Sequence, residues 1–366
     1  MKVSRVKEIS KKFGYLPQEI QILTKEASDR EYFRLIFDKP RYKKVQDEIW
    51  DHEYYNKHYK DDKHSASLIF CYINPELGSN KRFVELSNHI SESEKYLSPY
   101  MVFPKIYAFD DSLGVTIQQD CFETILERYP NGHGNNGLMT LHIGLLALKD
   151  FLSLEFLDLK VLTNDDLRNQ MDRFEKLFLY DFLGIDVSDL SCHKRNLQNL
   201  IADTLQNLSK QPWVNCHQDF EVRNLMETPL NTAIIDFQDT CKGPIGIDLA
   251  GLFIDHYNFE TTFGEAKCGD LTNELIEHGG LDIMGIQEAE IMCDYAIWGG
   301  IQRNLRILGT LSNLYLENGR DFRLPDLPKI LSNLEQIIPE KHKELKNFLK
   351  QDVNLALNQK LMELGL

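Results

Sequence analysis

Residues 213–239 constrain this chain more than any other stretch. WVNCH, NLMET and TAIIDF are short strand-like runs joined by polar loops. They lie inside a region otherwise patterned for long helices, at 138–158, 164–182, 194–208 and most of 285–366. The first third of the chain reads differently. Val6, Ile9 and Phe13 fall at helical spacing before Gly14, as one short amphipathic helix. Residues 20–24 and 31–37 (EYFRLIF) are strand-like around the polar loop KEASDR, 68–74 (LIFCYIN) is a strand bounded by Pro75, and 104–109 and 114–119 form a pair around DDSL. A helix near 80–93 presents Phe83, Leu86 and Ile90 on one face. The expected fold is α+β in two lobes. A small antiparallel-sheet lobe at 1–120 carries a charged, solvated insertion at 38–66, and a larger, mainly helical lobe spans 121–366.

Charge narrows the function. The chain has 41 basic against 56 acidic residues, a net of −15, which argues against a nucleic-acid or anionic-membrane partner. Seven cysteines, an odd number without a CxxC pair, form neither a disulfide framework nor metal-ligand spacing. They are expected to be small buried hydrophobes in a reducing compartment, with Cys216 and Cys241 flanking the polar loop and open to alkylation. MKVSRVKEISKKFG lacks the apolar core of a signal peptide, and no apolar run approaches the roughly 18 residues that cross a bilayer. A soluble, cytoplasmic protein is the expectation, with its oligomeric state left open.

The polar loop holds the chemistry. Asp219 and Asn224 lie five apart between two short strands, and Asp236 follows seventeen residues after Asp219, at the end of an apolar strand. Two carboxylates and an amide oxygen suit Mg²⁺, which takes oxygen ligands and keeps waters and substrate phosphates in its shell. A carboxylate left off the metal can orient an acceptor hydroxyl for attack on a phosphoryl group. The plainer alternative is that His217, Asp219 and Asp236 are loop and cap residues bonded to backbone.

HxDxxxxN followed by an Asp-Phe strand end resembles the catalytic and metal loop of the aminoglycoside-phosphotransferase superfamily, of protein-kinase-like fold. The resemblance implies Asp219 as the catalytic residue, Asn224 and Asp236 as Mg²⁺ ligands, and His217 as a scaffold residue. Gly243-Pro244 and Ile247-Asp248-Leu249-Ala250 resemble the superfamily's GPxxxDLA segment, in which Asp248 is expected to cap a helix starting at Leu249 and steady the loop. Further matches point to the anomeric amino-sugar kinase branch, related to N-acetylmuramate/N-acetylglucosamine kinase of cell-wall recycling. They are the hairpin Ser28-Asp29-Arg30-Glu31-Tyr32-Phe33-Arg34-Leu35, the strand pair from Pro104 to Asp120, the helix Ile301-Gln302-Arg303-Asn304-Leu305-Arg306-Ile307-Leu308-Gly309, and the turn Leu324-Pro325-Asp326-Leu327-Pro328.

The resemblance implies ATP as phosphoryl donor with Mg²⁺, and a sugar hydroxyl as acceptor. Nucleotide contacts are expected from Ser28, Arg30 and Arg34 and from the hinge at Gln118, Gln119 and Asp120. The strand LIFCYIN has no phosphate-binding lysine, so Arg30 and Arg34 are the candidate cations. The alternative for each is a surface arginine paired with a neighbouring glutamate, and Glu85 is a surface helix residue or a partner for Arg34. Gln302 and Arg303 are the acceptor-site candidates, with Asp255 and His256 as alternatives, and helix packing is open for all four. Two competing functions remain: phosphorylation of another small hydroxyl compound, aminoglycosides included, and a nucleotide-binding pseudokinase.

Overall fold

The structure, a computed structural model, describes residues 1–23, 29–37, 67–93, 101–121, 123–124, 135–156, 158–186, 191–227, 232–256 and 289–366. Ser28 and the 38–66 insertion lie outside them. The chain divides into two compact units. The first comprises Met1–Arg128, Leu154–Phe156 and Arg223–Gln238, and the second Tyr129–Ser153, Leu157–Val222 and Asp239–Leu366.

In the first unit, helix α1 (Val3–Lys12) precedes strands β1 (Glu19–Ile22), β2 (Glu31–Ile36) and β3 (Ser67–Tyr72) and helix α2 (Lys81–Ser93). Strands β4 (Met101–Val102), β5 (Ile106–Asp110), β6 (Val115–Gln119) and β7 (Glu123–Thr124) follow. The main sheet is antiparallel, in the order β1-β2-β3-β6-β5. Alternation along β2 sends Phe33 and Leu35 to one face, where they join Val6 and Ile9 of α1 with Leu68, Phe70, Val115 and Ile117 in a single core. Arg34 is left on the opposite face. Gly114 turns the β5–β6 hairpin at φ +65°, and a Cβ there would sit 1.9 Å from the Ile73 carbonyl oxygen.

The second unit is mostly helical: α3 (Asn135–Ser153), α4 (Asn164–Arg173) and α5 (Ser191–Leu208) precede strand β8 (Trp213–Cys216). A capping box starts α4, with Thr163 accepting from the Asp166 amide and Asp166 reaching back to Thr163. The helix then widens into a π-helix at Phe174–Phe182. Strands β9 (Leu225–Glu227) and β10 (Thr232–Ile234) belong to the first unit, where they pair with β4 and β7 in the order β4-β10-β9-β7.

Back in the second unit, β11 (Cys241–Pro244) pairs antiparallel with β8, and α6 (Gly246–Phe253) follows directly. The 30-residue α7 (Ala289–Asn318) is the spine, packed on α4, α5, α6 and the π-helix. Gly319, at φ +63°, follows its end, after which come α8 (Leu327–Ile337), α9 (Lys343–Phe348) and α10 (Asn354–Leu364). No helix among the described residues is long and apolar enough to cross a membrane.

Two expectations need correction here. Cys71, Cys121, Cys216 and Cys241 are buried thiols, but Cys192 is exposed and Cys293 is disulfide-bonded. The neighbouring Cys241, burial and Asp248 push the Cys216 thiol well up, which makes it a poor target for alkylation.

Candidate active site

Strand β8 delivers its polar loop in a fixed posture. Cys216 pairs across to Cys241, so the chain leaves the β8–β11 ladder at His217. Gln218 then takes φ +71°, a left-handed conformation uncommon for a side-chain-bearing residue. Asp248 holds this bend: one carboxylate oxygen accepts from the His217 amide at 2.7 Å and the other from the Gln218 amide at 2.9 Å. Asp248 therefore does not cap its helix. Helix α6 starts at Gly246 with Ile245 at the cap position, and the Asp248 side chain is turned onto the loop instead. Full burial raises its carboxyl to about 6, with His217 and the two amides pulling the other way. The His217 ring meets Phe151 and Phe220 edge-on, at 5.6 and 5.8 Å. Gly251 of α6 lets the helix touch the loop, since a Cβ there would lie 2.1 Å from the Phe220 carbonyl oxygen.

Asp219 is next. Arg306, from α7, donates to its Oδ1 at 2.8 Å and to the Gln218 carbonyl at 2.9 Å. The Asp219 side chain is 44% exposed while that of Arg306 is 14% exposed. Desolvation raises the Asp219 carboxyl, but the charges of Arg306 and Arg303 more than offset it and leave the group below the ordinary carboxylate range.

Behind the loop lies a buried polar cluster. Arg303 pairs with Glu221 and lies 3.6 Å from Asp255, and His256 stands between Asp255 and Asp326, 3.6 Å from each. Gln302 donates to Gln170 at 2.6 Å, and Gln170 donates to the Gln218 side chain at 3.3 Å. Gln302 and Arg303 are almost fully buried, yet Gln302 Oε1 and Arg303 Nε have no hydrogen-bond partner among the described residues.

In the first unit, backbone pairing sets the other two candidates side by side. Leu225 faces Ile234 across the β9–β10 hairpin, and the Ile235 amide donates to the Asn224 carbonyl at 3.0 Å, so Asn224 and Asp236 leave the same hairpin end. Asp236 takes φ +62°, is exposed, and accepts from Gln238 at 2.6 Å. The next residue, Phe237, is buried, stacked on Phe83 of α2 at 4.8 Å and edge-on to Phe103. Burial first, then the charges of Cys71 and Asp236, push the Tyr32 phenol of β2 well up, which puts Asp236 within electrostatic reach of that strand. An amide oxygen and a carboxylate together could hold a hard divalent cation, with water and phosphate oxygens completing its shell. Among the described residues, no group of three His, Cys, Asp or Glu side chains forms a metal cluster.

The nucleotide candidates divide. Asp120 accepts from Arg34 at 2.6 and 3.3 Å and from the Ser67 hydroxyl at 2.6 Å, with its side chain only 2% exposed. Arg34 is thus paired with a carboxylate of its own sheet, not with Glu85, which meets Lys81 at 3.8 Å. Arg30 donates to Asn80 at 3.0 Å. Gln118 and Gln119 end β6, and the Gln119 amide donates to the Lys105 carbonyl at 2.8 Å.

Arg306 and Glu221 escaped the sequence reading. For Arg306 the available signal was its place three residues after Arg303 on one helix, which puts both on the same face.

Comparison with known proteins is consistent with this architecture. A model of the phosphotransferase enzyme family (APH) matches residues 163–275. Among curated proteins, the N-acetylmuramate/N-acetylglucosamine kinase of Neisseria meningitidis serogroup B is 28% identical over 240 residues, covering 64% of this chain and 70% of that protein. The kinase of the same name from Pseudomonas putida is 25% identical over 173 residues, covering 47% of this chain and 50% of its own length. Among solved structures, a Plasmodium vivax ethanolamine kinase aligns with TM-score 0.55 at 13% identity, over 89% of this chain and 83% of that one. The ADP-bound aminoglycoside phosphotransferase APH(2'')-Ib aligns with TM-score 0.51 at 13% identity, over 92% and 99% of the two chains.

The fold is the α+β protein-kinase-like fold. The chain is a phosphotransferase, and it resembles the aminoglycoside-phosphotransferase superfamily over the residues that the family model matches.

Proposed function

We propose that the chain transfers the γ-phosphoryl group of ATP to a sugar hydroxyl, with the anomeric hydroxyl of N-acetylmuramate or N-acetylglucosamine as first choice. The observation that carries this is Asp219, a partly exposed carboxylate held ionised by Arg306 in a loop whose bend is fixed by Asp248. The names of the sequence relatives support the choice of acceptor.

In this reading the acceptor hydroxyl donates to Asp219, which orients it. Its oxygen forms a bond to the γ-phosphorus as the bond to the β–γ bridging oxygen breaks, and ADP leaves with the electron pair. The hydroxyl proton passes to the Asp219 carboxylate and then to water. Asn224 and Asp236 would hold Mg²⁺, which supplies charge neutralisation on the phosphates when bound. Residues 1–120 would serve the nucleotide, through Ser28, Arg30 and backbone groups at Gln118, Gln119 and Asp120, with Arg34 bracing Asp120. Residues 121–366 would serve the acceptor. Asp255, Gln302 and Arg303 would face its hydroxyl and acetamido groups, since the buried Gln302 Oε1 and Arg303 Nε lack hydrogen-bond partners among the described residues and such a ligand would satisfy them. His217 is structural. The reaction would run in the cytoplasm, where ATP is available.

A coupled ADP-release assay tests this with Mg-ATP over amino sugars, neutral sugars and aminoglycosides. The expected result is fastest turnover on an N-acetylated amino sugar. Turnover confined to aminoglycosides would overturn the acceptor choice, and nucleotide binding without turnover of any acceptor would point to a pseudokinase.

A further inference from the structure

We propose that Arg306 is a positioning residue for phosphoryl transfer: it fixes the Asp219 carboxylate against the carbonyl of Gln218, so that the carboxylate meets the acceptor hydroxyl already aligned and charged. The inference deepens the reading above and rests on Asp219 being the group that orients the hydroxyl.

The geometry is specific. One guanidinium nitrogen of Arg306 donates both to Asp219 Oδ1 at 2.8 Å and to the Gln218 carbonyl at 2.9 Å, tying side chain to backbone across a single peptide unit. That peptide follows Gln218 at φ +71°, a conformation that needs outside support to persist. Asp248 supports the bend from the amide side, at His217 and Gln218, and Arg306 from the carbonyl side. The pair is asymmetric in exposure: the Arg306 side chain is 14% exposed and that of Asp219 is 44% exposed. A largely covered cation with an accessible carboxylate is arranged to present the carboxylate, whereas a bracing ion pair hides its acid, as the 2% exposed Asp120 is hidden beside Arg34.

Arg306 is also distinct from its neighbour Arg303. One turn earlier on α7, Arg303 is occupied by the buried carboxylates of Glu221 and Asp255, so it cannot substitute for Arg306 at Asp219. The two arginines divide the work. Arg303 neutralises the buried acids beneath the loop through Nη2, which leaves its Nε for the acceptor, and Arg306 bonds the carboxylate at the loop's surface.

A double-mutant cycle tests this with Arg306→Gln, Asp219→Asn, the double variant and Arg306→Lys, assayed with Mg-ATP and the best acceptor of the wild-type chain. Arg306→Gln is expected to lower kcat about 10- to 100-fold with the KM for ATP within about twofold, and Arg306→Lys to recover most of that loss. On the residual activity of Asp219→Asn, Arg306→Gln is expected to cost less than about threefold, because its effect is exerted through the Asp219 charge. Equal losses in both backgrounds, or wild-type kcat in Arg306→Gln, would overturn the inference. So would a lysine variant no better than the glutamine one. If thermal unfolding shows Arg306→Gln to be misfolded, Arg306→Met takes its place in the cycle: a kcat loss of about 10- to 100-fold at unchanged KM for ATP that shrinks in the Asp219→Asn background supports the role, and unchanged kcat or an equal loss in both backgrounds contradicts it. Normal turnover by Asp219→Asn would instead refute the underlying site reading, an outcome distinguishable from failure at Arg306.

Discussion

Each unit contains an arginine–carboxylate pair, and the two are built for different ends. In the first unit, Arg34 and Asp120 close on one another in a two-point contact, with Ser67 as a third partner and the carboxylate 2% exposed. In the second, Arg306 grips one oxygen of a carboxylate that stays 44% exposed. The closed pair has the form of a brace and the open pair that of a presented reagent. An ion pair in isolation says little about purpose, and the exposure of its acid end separates structure from chemistry.

The largest expected effect breaks the open pair. Asp219→Ala should lower kcat by about 10³-fold while nucleotide affinity, read by calorimetry, stays within a few-fold. Breaking the closed pair should instead show in stability: Asp120→Ala takes the carboxylate from the largely covered Arg34 and from Ser67 and should cost about 3 kcal/mol in urea denaturation. If Asp120→Ala raised the KM for ATP with stability unchanged, the brace would be a nucleotide contact after all. Asp236→Asn should sharpen the contrast between hairpin and loop, lowering activity about 10- to 100-fold at limiting Mg²⁺ and recovering part of it at high Mg²⁺.

The last effect is a pH dependence, on stability and not on turnover. Asp248 holds its proton to about pH 6 in the folded chain, against an ordinary value of 3.8. The unfolded chain gives up that proton first, so the associated stabilisation is full below about pH 4. It is lost as the pH rises through 6, by about 3 kcal/mol in all. Asp219 runs the opposite way, since its lowered value contributes stability above the ordinary range that is lost on acidification. Urea titrations of the wild type and Asp248→Asn between pH 4 and 8 should show the decline in the first and not the second.

Much of the fold was legible in the sequence because its signals are local. The period-two pattern of EYFRLIF gave β2, and Phe33 and Leu35 indeed face the core. The turn at Gly14 and the end of β3 before Pro75 were equally readable. What was not legible depends on partners distant in sequence. Strand β11, CKGP, has no alternating pattern of its own and is a strand only because β8 pairs with it. Asp248 looks like a cap because it sits in a first turn, and only the fold shows its carboxylate spent on amides thirty residues earlier. On the nearly all-buried face of α7, spacing alone cannot tell Arg303, closed in by Glu221, from Arg306, turned toward Asp219. The free spacing of the cysteines likewise gave no sign that Cys293 is disulfide-bonded.

The central claim is that Asp219 makes this chain a working phosphotransferase. Phosphorus NMR of Mg-ATP with N-acetylmuramate or N-acetylglucosamine, run in parallel on the wild type and Asp219→Asn, tests it most directly. A sugar-phosphate resonance that grows as ADP forms in the wild type, and stays undetected over the same hours in the variant, is the predicted result. Equal growth in both samples would contradict the account.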